Sequence, residues 1–313
     1  MSKIVYVTGC LGFIGSYVTR ACLEKGWYVY GIDKCTYAAD ERYLGEFNQY
    51  PRFRFEKKDI NDIERLVDCD YVINVAAESH VDNSIVDSEV FIDSNVKGVW
   101  HLLELVKAKQ SFKMPTFLHF STDEVYGDIA EGAHTETDIL KPSNPYSASK
   151  AAADQIVFGH ARTHKVPYVI VRPTNNYGIG QYVEKLIPKS VKHLTLGKRI
   201  DLHDEGKPHR TWLHVQDTAN AVIHIIESGV KNEIYNISGN YETANIEVVR
   251  KIIANFNGET EIEPYLEKYN RVGQDVRYAI DDSKLKKLGW QCYADFDLEL
   301  TKIVKYYTEN FIW

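Results

Sequence analysis

The sequence predicts an α/β fold built on a doubly wound parallel sheet, with a second, smaller domain toward the C-terminus. Three observations lead to this prediction. Short apolar runs alternate with longer helical stretches through the first half of the chain. The runs nearest the N-terminus are apolar throughout, as in parallel strands that are buried on both faces. The length of 313 residues suits roughly two domains.

The predicted elements follow one another as strand and helix. Strands are predicted at Ile4–Val7, Tyr28–Ile32, Phe53–Phe55, Tyr71–Val75, Phe117–Ser121 and Tyr168–Val171. Helices are predicted between them at Ile14–Lys25, Ile63–Val67, Val90–Lys109 and Pro145–His164. Units of this kind form parallel sheets with right-handed crossovers. After Asn176 the alternation stops and glycines interrupt short segments. We therefore expect one domain over residues 1–176 and a second mainly over 177–313, with 212–235 returning to the first.

The composition excludes several classes of protein. The chain carries 37 Lys and Arg residues against 44 Asp and Glu residues, a net charge of −7. This balance leaves no broad basic face for nucleic acid or an anionic membrane. Nowhere do about 18 apolar residues run together, as a membrane span needs. The five cysteines are scattered without a C-x-x-C pair, so we expect a cytoplasmic protein with neither disulfides nor a metal site.

The first predicted strand leads into a glycine-rich turn. Gly9, Gly12 and Gly15 are spaced G-x-x-G-x-x-G, and Phe13 and Ile14 open the helix that follows. Glycine permits a tight turn, lets backbone N–H groups approach a pyrophosphate and places that anion at a helix N-terminus. An ordinary glycine turn is the alternative, but the position between a strand and a helix favours a dinucleotide site of Rossmann type.

The residues that follow the second, third and fourth strands are expected to select and hold the cofactor. Asp33 can accept hydrogen bonds from both ribose hydroxyls of an adenosine and would repel a 2′-phosphate, which favours NAD over NADP. Its neighbour Lys34 weakens this preference, since a cation could tolerate the phosphate. Asp59–Ile60 could meet an adenine edge, although a helix cap explains Asp59 equally well. Ala76–Ala77 are small enough for a cofactor to pass close to the backbone.

Tyr146 and Lys150 form the first candidate catalytic pair. Their i, i+4 spacing places them on one face of the helix predicted at Pro145–His164. Tyrosine is a poor base at its ordinary pKa of about 10, but an adjacent ammonium and the positive nicotinamide of NAD would lower that pKa. With the glycine turn, this Y-x-x-x-K spacing resembles the short-chain dehydrogenase/reductase superfamily, in its extended form with a C-terminal substrate domain.

Two adjacent carboxylates follow the strand predicted at Phe117–Ser121. Thr122 could hydrogen-bond a substrate hydroxyl, and Asp123 and Glu124 stand where open α/β sheets carry ligand chemistry. Burying both carboxylates is costly unless they pair or titrate apart; a solvated capping turn is the alternative. Because consecutive residues of a straight strand point to opposite faces, the chain must turn here for both to reach a substrate.

The segment at 121–128, STDEVYGD, resembles the signature of nucleotide-sugar 4,6-dehydratases of the dTDP-glucose 4,6-dehydratase type. Segments 76–82, 144–150, 175–178, 184–188 and 277–281 are similar to that family too, and the similarity covers essentially the whole chain. Sugar 4-epimerases lack the acidic pair, and glucuronate-type decarboxylases usually have serine before the glutamate. Two departures bear on the shape of the pocket: Val183 stands where proline is common, and Gln274 where histidine is usual.

The resemblance implies a role for each catalytic residue. Tyr146 would take the proton of the sugar C4 hydroxyl, beside Thr122, while Lys150 would also donate to the nicotinamide ribose. Glu124 would remove the C5 proton, and protonated Asp123 would supply a proton to the departing C6 hydroxyl. Arg210 and Arg277, which match phosphate and nucleotide contacts of the family, would bind the diphosphate of the substrate. The implied substrate contacts are Ser79, Asn175, Lys185, Leu186, Arg210, Asn245 and Arg277.

The predicted function is an NAD-dependent NDP-hexose 4,6-dehydratase acting on dTDP-glucose, UDP-glucose or UDP-N-acetylglucosamine. Three alternatives stay open: a UDP-N-acetylglucosamine 4,6-dehydratase with coupled 5-epimerisation, an NDP-sugar 4-epimerase or decarboxylase, and an inactive NAD-binding module. A homodimer is expected as in the family, through a four-helix bundle of Val90–Lys109 and Pro145–His164 from two chains. The same helices fit packing on the sheet equally well.

Overall fold

The computed structural model describes residues 2–110, 113–269 and 275–310. Their strands are β1 (Ile4–Thr8), β2 (Tyr28–Asp33), β3 (Phe53–Lys57), β4 (Tyr71–Asn74), β5 (Thr116–Phe120), β6 (Tyr168–Pro173), β7 (Asn175–Tyr177), β8 (Ile200–His203), β9 (His209–His214), β10 (Glu233–Ile237), β11 (Tyr241–Ala244) and β12 (Leu266–Tyr269). Their α-helices are α1 (Phe13–Glu24), α2 (Arg42–Phe47), α3 (Val81–Val86), α4 (Glu89–Phe91), α5 (Gly98–Lys107), α6 (Pro145–His164), α7 (Leu186–Thr195), α8 (Val215–Ser228), α9 (Asn245–Asn257), α10 (Ser283–Lys287) and α11 (Phe296–Glu309).

Seven of these strands form one parallel sheet in the order β10-β6-β5-β4-β1-β2-β3. Successive residues of a strand point to opposite faces, so the sheet feeds two cores. Val5 and Val7 of β1 join the core that includes residues of α1 and α8, whereas Tyr6 joins the core that includes residues of α5 and α6. The predicted fold class, a doubly wound parallel sheet of Rossmann type, is confirmed.

Two small sheets, β11-β9-β7 and β12-β8, belong to the C-terminal half. They pack with α7, α9 and α11 around a third core that includes Val191, Ile252 and Ile303. The segment 212–235 is shared between the two parts: the end of β9 lies in a small sheet, α8 packs on α1, and β10 pairs with β6. The division into two domains stays a prediction.

Two predicted helices differ from the structure. The helix predicted at Ile63–Val67 is wrong: a short 3₁₀ turn at Ile60–Asp62 precedes the stretch, whose apolar side chains reach the α5 core without forming a helix. The helix predicted at Val90–Lys109 is interrupted by a π-helical stretch at Ile92–Lys97 between α4 and α5. That wide turn contains Asn95, whose side chain hydrogen-bonds both the N–H and the carbonyl of Glu78.

Some features are absent from the part of the chain that the structure describes. No helix there is both long and apolar enough to cross a membrane. His, Cys, Asp and Glu side chains do not gather there in groups of three that could hold a metal ion. The five cysteines are free thiols.

Candidate active site

A cavity of about 1000 Å³ opens beyond the carboxyl ends of β1, β2, β4, β5 and β6. Every residue that the sequence predicts for catalysis, for the cofactor or for the substrate lines this cavity, except Arg277. The small sheets contribute to the same wall, for example through Leu202 and Trp212. Residues from Gly9 to Asn245 are therefore brought to one place by the fold.

Arg277 does not lie in the cavity wall formed by the described residues, and its role as a substrate contact stays a prediction. Its guanidinium forms an ion pair with Glu242 of β11 and donates to the carbonyl of Gly132 at 2.9 Å. Its backbone N–H donates to Asp128 at 2.7 Å. Glu242 neutralises the charge of Arg277. The arginine thereby links its own segment to β11 and to the loop that contains Asp128 and Gly132. Gln274, three residues earlier, lies outside the described residues.

The glycine turn is shaped by contacts that leave no room for side chains. Gly9 has a φ of +67°, and a Cβ on Gly15 would stand 1.9 Å from the carbonyl oxygen of Gly9. A Cβ on Gly9 would stand 2.8 Å from the backbone of Ala76. Helix α1 begins after Gly12, which has no side chain to cap it. Its first N–H groups therefore remain available to an anion, as a pyrophosphate-binding turn requires.

Asp33 ends β2 as predicted and is nearly buried. Its carboxylate accepts hydrogen bonds from the N–H groups of Leu11 at 3.0 Å and Cys35 at 2.8 Å. Burial raises the pKa of Asp33, and these hydrogen bonds act against that rise. One hydrogen bond on each oxygen leaves lone pairs for ribose hydroxyls.

Lys34 is held by carboxylates rather than left open to a phosphate. Its ammonium lies 3.6 Å from Asp59 and 3.7 Å from Glu78. Asp59 also caps the short turn that follows, accepting from the N–H of Asn61 at 2.9 Å. Both interpretations of Asp59 therefore have a basis in the structure: it caps a turn, and Asp59 and Ile60 line the cavity.

The chain turns directly after β5, as simultaneous access of both carboxylates requires. Thr122 caps a 3₁₀ turn at Asp123–Tyr126, and its hydroxyl oxygen accepts from the N–H of Glu124 at 3.3 Å. Asp123 and Glu124 both line the cavity. Asp123 is 3% exposed, so the alternative of a solvated acidic turn does not describe it.

The two carboxylates occupy different electrostatic environments. Burial and the negative charge of Glu124 raise the pKa of Asp123 to about 7. Thr122 donates to Oδ1 of Asp123 at 3.1 Å, whereas Oδ2 is buried without a hydrogen-bond partner among the described residues. Glu124 is half-buried; burial raises its pKa, but the charge of Arg210 and a 3.3 Å hydrogen bond from Asn144 act in the opposite direction.

Helix α6 presents Tyr146 and Lys150 to the same cavity. The helix begins with a capping box, in which Asn144 and Ser147 each bond the other's backbone. The ammonium of Lys150 is 2% exposed and donates to the carbonyl of Phe120 at the end of β5, while burial lowers its pKa to about 8. Burial and the charge of Glu124 raise the pKa of Tyr146. The lowering that the sequence analysis expects is therefore not a property of the protein alone, because burial and the charges of Glu124 and Asp123 raise the pKa of Tyr146.

The far wall of the cavity carries cations. Lys185 donates to the carbonyl of Ser79 at 3.0 Å and lies 3.2 Å from Glu184. Arg210 is nearly buried, and its guanidinium lies 4.5 Å from the ring centroid of Tyr278. The predicted residues that complete this wall are Asn175, Leu186 and Asn245.

Sequence reasoning missed several residues of the site. Asn144 is the most direct, since it joins the start of α6 to Glu124; its position before a proline and three residues before a serine is the signal of a helix cap. Asp275 and Tyr278 line the cavity on either side of Arg277. The sequence analysis predicted Arg277 instead, because the similarity of segment 277–281 to the family does not show which of its side chains points into the cavity.

The sequence is similar to a known family over nearly its whole length. Residues 6–303 match the family model described as GDP-mannose 4,6 dehydratase. The low-salt glycan biosynthesis protein Agl12 of Haloferax volcanii is 40% identical over 308 residues, covering 97% of this chain and 98% of its own. The dTDP-glucose 4,6-dehydratase of Haemophilus influenzae is 39% identical over 334 residues, covering 98% of each.

A solved structure has the same fold. The dTDP-glucose 4,6-dehydratase DesIV of Streptomyces venezuelae, crystallised with NAD and TYD bound, superposes with a TM-score of 0.92 at 35% identity. The match covers 98% of this chain and 97% of that one. Sequence and fold therefore indicate the same class of protein.

Proposed function

The chain belongs to the GDP-mannose 4,6-dehydratase family, and on that premise we propose that it converts dTDP-glucose to its 4-keto-6-deoxy product. It is an NAD-dependent NDP-hexose 4,6-dehydratase, a hydro-lyase. The observation that carries the proposal is the acidic pair, Asp123 and Glu124, which shares one cavity with Tyr146. Neither a 4-epimerase nor an inactive module requires that pair, so these alternatives are not needed.

The residues of the first four strand ends fit NAD. The tight contact between Gly15 and Gly9 brings backbone N–H groups to the surface of the turn, where a pyrophosphate would lie. Asp33 would hold the adenosine ribose, and Lys34 is already paired with carboxylates. When bound, NAD supplies the acceptor for the C4 hydride and returns that hydride at C6.

Tyr146 is proposed to take the proton of the sugar C4 hydroxyl. Thr122 and Tyr146 both line the cavity, so both hydroxyls could meet the same sugar hydroxyl. Burial and the charge of Glu124 raise the pKa of Tyr146, and positive charge brought into the cavity would lower it. Lys150, held at the carbonyl of Phe120, would keep a positive charge on the side of the cavity where α6 begins.

Asp123 and Glu124 are proposed to share the elimination of water. A 4-ketone makes the C5 proton acidic, and Glu124 is the carboxylate that would remove it, since Arg210 and Asn144 favour its charged form. Asp123, with a pKa of about 7, holds a proton on a fraction of molecules at neutral pH. That proton would pass to the departing C6 hydroxyl, for which Oδ2 is free of other hydrogen bonds among the described residues.

The test is an assay of purified protein without added cofactor on dTDP-glucose, UDP-glucose and UDP-N-acetylglucosamine. Mass spectrometry reads the loss of one water, and NMR of the product reads the configuration at C5. We expect water loss from dTDP-glucose with C5 retained. Water loss confined to UDP-N-acetylglucosamine, with C5 inverted, would replace the proposed substrate. No water loss from any of the three would contradict the dehydratase assignment.

We also propose a homodimer, as the sequence analysis expects, whereas the bundle of Val90–Lys109 with Pro145–His164 stays a prediction. Large apolar side chains are exposed from the end of α3, through α4 and the π-helical stretch, to the start of α5: Val86, Val90, Ile92 and Trp100. Clusters of this kind usually mark an interface. Sedimentation should give a dimer for the native chain and a monomer for Val86→Asp with Trp100→Asp. Leu298→Asp, at a position also exposed but on α11, is the control and should stay dimeric.

The cytoplasm is the proposed location. Five free thiols, two of them fully buried, suit a reducing compartment. Cell fractionation with a tagged full-length chain tests the proposal, and recovery with membranes or in the medium would contradict it.

A further inference from the structure

An ion pair lies buried directly behind the catalytic turn. Asp154 of α6 is 0% exposed and Arg172 of β6 is 1% exposed. The guanidinium donates to Oδ2 of Asp154 through Nε at 3.1 Å and through Nη2 at 2.8 Å. Burying two charges is costly, and a well-packed apolar pair is often as stable or more so. The fold alone therefore gives no reason for this pair.

The pair is bonded to both ends of the segment that carries the acidic residues. Ser121, which precedes the turn, donates to Oδ2 of Asp154 at 3.1 Å. Tyr126, which ends the turn, accepts from Nη1 of Arg172 at 2.7 Å and lies under the guanidinium, whose carbon is 4.8 Å from the ring centroid. Asp154 and Arg172 thus bracket the turn between residues 121 and 126.

The charge of Asp154 also acts on Lys150. Asp154 lies one helical turn after Lys150 on α6, and its charge acts against the lowering of the lysine's pKa by burial. The other ionisable side chains described in contact with the pair are His119 of β5, whose Nε2 lies 3.8 Å from Oδ1 of Asp154, and Tyr126 on the guanidinium of Arg172. Burial and the two cations lower the pKa of His119, so the imidazole adds no charge at neutral pH.

We propose that Asp154 and Arg172 are positioning residues, which hold the turn of Asp123 and Glu124 in register with Tyr146 and Lys150. The inference rests on the proposed dehydratase function. Two separate effects follow. Removing the charge of Asp154 takes away the anion that favours the ammonium of Lys150. Removing the bond between Arg172 and Tyr126 loosens the end of the turn but leaves all charges in place.

The experiment compares Asp154→Asn and Tyr126→Phe with the native holoenzyme. Thermal unfolding and NAD content are measured first, then kcat and KM across pH, together with single-turnover reduction of bound NAD. In Asp154→Asn we expect kcat to fall by about tenfold to a hundredfold with KM nearly unchanged. As pH rises, its activity should also be lost at a lower pH than that of the native enzyme, because Lys150 without the nearby anion gives up its proton more readily.

Tyr126→Phe separates geometry from charge. We expect it to slow product formation more than the reduction of bound NAD, with the pH at which activity is lost unchanged. Asp297→Asn, which removes an exposed ion pair with Lys251, is the control and should match the native enzyme. If Asp154→Asn does not fold, Ser121→Ala removes one bond of the same carboxylate without removing its charge, and it should behave as Tyr126→Phe does.

Several results would overturn the inference. Activity per folded, NAD-loaded site that equals the native value in both variants would make the pair purely structural. The pair would also be purely structural if two results occurred together. Asp154→Asn would lose kcat without a change in its pH profile, and Tyr126→Phe would slow the reduction of bound NAD and product formation equally. A native enzyme that dehydrates no nucleotide sugar overturns the proposed function and this inference together, whereas an active native enzyme with unaffected variants overturns the inference alone.

Discussion

Thr122 donates a hydrogen bond to Oδ1 of its neighbour Asp123 at 3.1 Å, so one oxygen of that buried carboxylate is fixed. The other oxygen, Oδ2, has no hydrogen-bond partner among the described residues. A buried carboxyl oxygen without a partner carries a proton more readily than one held by donors. The contact therefore fixes one oxygen of a cavity-lining carboxyl group and leaves the other oxygen to carry the proton.

Asp123→Asn should separate the two halves of the reaction. The amide cannot donate an acidic proton to a leaving hydroxyl, but Tyr146 is unchanged and the amide oxygen can still accept the hydrogen bond from Thr122. We expect C4 oxidation to persist, so that reduced NAD accumulates on the enzyme, while water elimination slows by about 10²- to 10⁴-fold. Stopped-flow absorbance follows the cofactor and mass spectrometry follows the product. Asp68→Asn, at an exposed surface position, is the control; unchanged elimination in Asp123→Asn would contradict the acid role.

Stability should depend on pH through the same carboxyl. The pKa of Asp123 is about 7 in the folded protein and about 3.9 when unfolded. Between these values the folded state holds a proton that the unfolded state has released, so stability falls as pH rises through this window. The loss is up to about 4 kcal/mol. The amide side chain of the variant Asp123→Asn cannot titrate. The denaturation midpoint of the variant minus that of the native protein should therefore increase as pH rises from about 5 to 8. A constant difference between the two proteins would contradict the raised pKa.

Gly15→Ala should release the cofactor. A Cβ at this position would lie 1.9 Å from a backbone oxygen and 2.7 Å from a backbone carbon of Gly9, so the turn itself must move. We expect NAD affinity to fall at least about tenfold, measured by the NAD retained after gel filtration. Gly159→Ala is the matched control, because a Cβ there meets no described atom within 4 Å on α6. It should keep NAD and gain up to about 1 kcal/mol in stability; equal retention by both variants would contradict the steric argument.

Cofactor choice should depend on Asp33 and not on Lys34. Lys34 is already paired with Asp59 and Glu78, so Lys34→Ala should change the ratio of NAD to NADP affinity by less than about twofold. Asp33→Asn removes the charge that repels a 2′-phosphate and should shift the ratio toward NADP by about tenfold. Isothermal titration with both cofactors measures the ratio. A large shift in Lys34→Ala would show that its cation is available to the phosphate.

The sequence predicted those parts of the site that depend on neighbours along the chain. A glycine turn between a strand and a helix, the i, i+4 spacing of Tyr146 and Lys150, and a turn after β5 are all set within a few residues. The same reasoning failed at Ile63–Val67, where apolar spacing alone does not distinguish a helix from an extended segment that packs its side chains on α5.

Tertiary structure decided what depends on distant segments. Arg277 and Tyr278 are adjacent in sequence, yet Glu242 holds the arginine away while the tyrosine lines the cavity beneath Arg210. The bond of Asp154 to Arg172 joins a helix to a strand. The sequence by itself thus determined the strand–turn–helix pattern and which chemical groups are present. The protonation of those groups came only with the fold, because burial and opposing charges are created when remote segments pack together.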